Sequence, residues 1–189
     1  MIAIKAKDTV YFASAAGHNN SYCNMQMDVS SEEDMHLWHL NDGKGTIVML
    51  GVESDRIADL LRYSDVFNCE LTVEALRELH KKIIDLYEGT NCRPVEGNAG
   101  VTIFIARGDR AFRVYGIGLV SEIEELDSIE FCKDRFQIGY ELSRGIEDPI
   151  ERIRAIYDLT EAYGNRRAYP ISVINTRDNS YTLLTKDAR

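Results

Sequence analysis

Apolar and small residues alternate from Ile2, Lys7-Asp8 interrupts them, and a second β-rich run follows over residues 9–14. This predicts a β-hairpin at the start of the chain. Residues 13–17 are small and suit close packing, whereas 18–34 are polar without a period and read as a loop. Residues 35–40 predict a strand and Asn41-Asp42-Gly43-Lys44-Gly45 a turn. Residues 46–51, TIVMLG, are apolar throughout, the pattern of a strand buried on both faces.

Ser54 can cap a helix reaching about Tyr63, with Ile57, Leu60 and Leu61 as its apolar stripe. Thr72 can cap the next, where Leu71 staples against Leu76, and Val73, Leu76, Leu79 (or His80), Ile83 and Leu86 recur at helical spacing up to a stop at Gly89. Residues 100–106 and 111–115 read as a hairpin turning through Arg107-Gly108-Asp109-Arg110, and 129–132 as a short strand. A helix is expected over 135–144, with Phe136, Tyr140 and Leu142 apolar and Gly145 as its stop. Asp148-Pro149-Ile150-Glu151 is the clearest local signal: N-cap, proline at the first helical position and a capping-box glutamate. Ile150, Ile153, Ile156, Tyr157 and Thr160 line the helix that follows to about Tyr163, and strands over 170–175 and 181–184 flank a turn at Asp178-Asn179. Strand pairs alternate with helix pairs, which points to an α+β fold of antiparallel sheets covered by helices.

Composition narrows the function classes. The 189 residues hold 3 prolines and no Gly/Ser-rich linker, so one domain over 1–189 is expected. A formal charge of −9 argues against a sequence-independent nucleic-acid binder, and the densest basic spots, Lys81-Lys82 and Arg166-Arg167, sit beside acids. No apolar run approaches the roughly 18–20 residues that span a bilayer, so a cytoplasmic, non-membrane protein is expected. Cys23, Cys69, Cys92 and Cys132 form no C-x-x-C pair and read as free thiols. His36 and His39 stand three apart in a predicted strand and point to opposite faces, so no shared metal is expected there, and no cofactor is. Gly116-Ile117-Gly118 lacks the strand–turn–helix setting of a dinucleotide site and reads as a loop. The acidic run 122–127 reads as a solvated face.

The order of elements resembles proteasome β-type subunits and the bacterial HslV peptidase, from Ile2 to Leu184. MIAIKAKDTVYFASAAGH resembles that family's opening hairpin, and GTIVMLGVESDRIADLLRY its buried strand, turn and first long helix. GVTIFIARGDRAFRVY is similar to its next hairpin, and IEDPIERIRAIYDLTEAY with YPISVINT to its last helix and last core strand. The resemblance implies a four-layer αββα sandwich of two antiparallel sheets flanked by helix pairs, assembled into a homo-oligomer. It also implies an N-terminal threonine that attacks a peptide carbonyl with its own amine as base, a lysine that lowers the nucleophile's proton affinity, and an orienting aspartate.

The chain departs from that pattern. Met1 falls about two places after the position of the threonine, the aspartate position falls near Ala15 or Ala16, and the lysine position falls at 34–36, although no lysine occurs between Lys7 and Lys44. Cutting at Ser14, Ser21 or Cys23 to expose a new nucleophile would delete the opening hairpin. Ser14, His18 and His36 are the candidate cleft residues, with His18 just after the second strand. The loop 162–169, where the family often holds a cation on backbone carbonyls, reads as a plain turn here. The expectation is a non-catalytic or divergent subunit. The alternatives are a hydrolase of the N-terminal nucleophile class with another nucleophile, and a module that binds a small molecule, peptide or protein in the old cleft.

Overall fold

The computed structural model describes residues 1–15, 19–20, 25–26, 36–39, 45–51, 70–88, 101–128, 133–164, 168–178 and 180–186. The first five-stranded antiparallel sheet has the order β10-β1-β2-β11-β12. Its strands are β1 (Ile2–Ala6), β2 (Thr9–Ala15), β10 (Leu126–Ser128), β11 (Ile171–Asn175) and β12 (Tyr181–Leu184). The second has the order β5-β6-β7-β8-β9, from β5 (His36–His39), β6 (Gly45–Gly51), β7 (Val101–Arg107), β8 (Arg110–Val114) and β9 (Val120–Glu122). Two-residue strands β3 (Asn19–Asn20) and β4 (Met25–Gln26) pair with each other inside the segment expected to be a loop. Three helices are present among the described residues: α1 (Val73–Glu88), α2 (Lys133–Leu142) and α3 (Pro149–Gly164). The architecture is α+β, as the pattern predicts.

The β1–β2 hairpin is deeply buried. Its turn is Lys7-Asp8, between the paired Ala6 and Thr9. Met1, Ile2, Ala3, Ile4, Val10, Phe12 and Ala13 are all buried, because both faces of the hairpin are covered. On one face Ile2, Ile4, Ala13 and Ala15 pack with Phe136 and Tyr140 of α2 and Ile153, Ile156 and Tyr157 of α3. On the other, Met1, Ala3, Val10 and Phe12 meet Phe104 and Ala106 of β7 and Ala111 of β8. The Phe12 and Phe104 rings stack 5.6 Å apart and 3° from parallel, joining one sheet to the other.

The helices are set by local chemistry. Asp148 Oδ1 accepts from the amides of Ile150 at 2.8 Å and Glu151 at 2.9 Å, which confirms the N-cap of α3. The Glu151 carboxylate lies 3.6 Å from Arg154. Thr72 Oγ1 caps α1 by accepting from the Ala75 amide at 3.1 Å, and Leu71 and Leu76 are both buried as the staple requires. Gly139 lets α2 approach α3, since a Cβ there would lie 3.2 Å from the Ile156 backbone. On α2, Leu142 is 66% exposed, contrary to the apolar face assigned to it; Phe136 and Tyr140 carry the buried face alone. The predicted helix at 54–63 and predicted strand at 129–132 lie outside the described residues.

Glu122, Glu124 and Glu125 of the acidic run are exposed, as a solvated face requires, whereas Asp127 is buried. Residues 120–128 leave the second sheet as β9 and enter the first as β10, so this short stretch ties the two together. Ile123 is buried between them, and Asp127 is 9% exposed. Asp127 Oδ1 accepts from Arg113 of β8 at 3.1 Å, an ion pair between sheets whose guanidinium also lies 4.1 Å from the Tyr115 ring centroid. The buried polar groups on other elements are also bonded: Thr176 Oγ1 donates to the Val10 carbonyl at 2.9 Å and Tyr157 OH to the Ala13 carbonyl at 2.9 Å. Among the described residues no helix is long and apolar enough to cross a membrane.

Two predictions follow from this packing. Phe12→Ala and Phe104→Ala should each cost about 3–5 kcal/mol in denaturant unfolding, with coupling of about 0.5–1.5 kcal/mol in the double-mutant cycle; purely additive costs would remove the stack as an energetic link. Asp127→Ala should cost about 3–5 kcal/mol because it strands a buried guanidinium, whereas Arg113→Met with Asp127→Leu should cost less than the single change. A double variant weaker than the single one would contradict that account.

Candidate functional site

Alternation along β2 sorts its side chains. Val10 and Phe12 face the second sheet, Ala13 and Ala15 face the helices, and Ser14 therefore faces inward at the strand's far end. Ser14 is half-buried and pairs directly with Ser172 of β11. Ser172 Oγ lies 2.9 Å from the hydroxyl of Tyr181 on β12. Met1, one place before the Ile2 that pairs with Ala13, occupies the same end. The result is a short inward row of one thioether and three hydroxyls: Met1, Ser14, Ser172 and Tyr181. The hydroxyls can donate and accept hydrogen bonds and the thioether accepts weakly, but none of the four is a carboxylate, an amine or an imidazole.

Met1 and Ser172, the side chains across the ladder from Ser14, supply no general base. His36 opens β5 in the other sheet, paired with Met49. His18 and Ala16 lie outside the described residues. Ala15, one of the two positions where the aspartate was expected, is 7% exposed and packs among Ile171, Ala168 and Tyr157, a hydrocarbon environment. Among the described residues no three of His, Cys, Asp and Glu converge to hold a metal ion.

A second concavity lies at the sheet-switching edge. A cavity of about 420 Å³ is lined by Tyr115, the segment 121–127, Gln137 and Tyr140. Three of its carboxylates are engaged: Glu122 accepts from Arg110 at 3.1 Å, Asp127 from Arg113, and Glu125 lies 3.8 Å from Arg144. The Arg110 hydrogen bonds hold the Glu122 carboxyl below its ordinary value. Burial holds the Tyr140 phenol above its own, against the pull of Arg152.

The Gly116–Gly118 loop is a turn, as expected, but it is held from below. His80, 8% exposed on α1, places Nε2 2.7 Å from the Gly116 carbonyl. Gly118 takes φ +81°, and a Cβ there would lie 2.9 Å from the His80 ring. Sequence reasoning missed both the Ser172–Tyr181 pair and the Arg113–Asp127 pair. The second left a signal: Arg113 occupies an inward position of an alternating strand, which calls for a nearby carboxylate, and the acidic run is the closest supply.

No protein-family model matches the chain, and no curated protein matches it. Solved structures do. BPH from Thiobacillus denitrificans, in complex with epoxomicin, superposes with a TM-score of 0.71 at 12% identity, covering 95% of this chain and 98% of that one. Anbu, the ancestral β-subunit from Yersinia bercovieri, gives 0.65 at 16% identity, covering 98% and 87%. The Gly-1 mutant of Anbu from Hyphomicrobium sp. strain MC1 gives 0.65 at 14%, with the same coverage.

The chain shares its fold with Anbu and BPH.

Within this fold, the connection from α3 to β11 has its own polar lock. Tyr169 OH donates to Asp158 Oδ1 at 2.6 Å. Burial and that carboxylate push the Tyr169 phenol from 10.0 up to about 12. Folding therefore favours the neutral phenol: its contribution to stability is complete below about pH 10 and is lost as pH rises toward about 12. Wild-type stability should fall more steeply than that of Tyr169→Phe across this window in unfolding titrations, and equal slopes would contradict the lock.

Proposed function

We propose that this chain is a divergent, non-catalytic proteasome-like subunit: one domain over 1–189, a four-layer αββα sandwich nearest to proteasome β-type subunits and HslV, cytoplasmic, and self-assembling into a closed homo-oligomer. The observation that carries the reading is Ala15. At one of the two positions where an orienting aspartate is expected, the chain has a buried alanine packed against Ile171, with no room set aside for charge. The absence of lysine between Lys7 and Lys44 supports the same reading, because a slip of one or two places in the comparison still supplies none.

The inward row of Ser14, Ser172 and Tyr181 supports a weaker second reading, in which the old cleft binds a peptide or small molecule through hydroxyls without cleaving it. A hydrolase using another nucleophile rests on the fold alone. Self-assembly fits the exposed apolar side chains Ile117, Leu119, Ile138 and Leu142, which are 67%, 54%, 54% and 66% exposed. Such side chains, spread over two elements, give copies of the chain apolar surface to share.

Light scattering on the purified protein should give a mass of several copies, and a clean monomer at high concentration would overturn the assembly. Epoxomicin, which BPH holds in its complex, separates the catalytic readings. Intact-mass spectrometry after incubation should show no adduct. An adduct on a Ser, Thr or Cys at a newly exposed amino terminus would overturn the non-catalytic reading and install the hydrolase.

A further inference from the structure

We draw no further inference here: the strongest candidate, the cavity between the β9–β10 connection and α2 lined by Tyr115, Glu122, Glu124, Glu125, Asp127 and Tyr140, is a cluster of carboxylates that already meets the chain's own arginines, and nothing in the structure shows what would fill it.

Discussion

The constraint on which the rest depends is the burial of the β1–β2 hairpin on both faces. A strand with one solvated face alternates apolar and polar residues; this hairpin alternates two apolar sets instead. Ile2, Ile4 and Ala13 serve the helix side, and Met1, Ala3, Val10 and Phe12 serve the other sheet. Each packing partner then has a fixed place. α2 and α3 must cover one side, drawn close by Gly139, and β7 and β8 must cover the other, brought into contact by Phe104. A hairpin so placed is a scaffold element, and cleaving within it to make a new amino terminus would remove part of the core.

The polar interactions refine this arrangement. The only way one segment can sit in both sheets is to run along their shared edge, and residues 120–128 do so. Asp127 of β10 meets Arg113 of β8 and so joins the two sheets, whereas the exposed Glu122 pairs with Arg110 within the second sheet. At the far end of β2 the same alternation that buries Phe12 brings Ser14 inward beside Ser172, one hydroxyl opposite another. Ala15, one of the two positions where the family resemblance expects an aspartate, is part of the core.

Much of this was legible in the sequence because the relevant signals are local. Asp148-Pro149, Thr72 with Leu71 and Leu76, and the Lys7-Asp8 turn each specify their own element, and each lies where the pattern put it. What was not legible is long-range pairing. Asp127 reads as one of several surface acids until β10 is seen to pair with β1. Leu142 reads as a core residue by period alone, yet α2 turns its buried face through Phe136 and Tyr140 and leaves Leu142 outside. The hydroxyl row was not legible either: Ser14 stood alone as a candidate, and its neighbours Ser172 and Tyr181 come from strands more than 150 residues away.

Native-state amide hydrogen exchange tests the central claim most directly. If the opening hairpin is covered on both sides, the amides of Ile4, Val10, Phe12 and Ala13 should exchange only with global unfolding, at the same free energy as the best-protected amides of β7 and α3. Hairpin amides that exchange through a much cheaper local opening, while β7 and α3 stay protected, would show that the hairpin is peripheral and contradict the account.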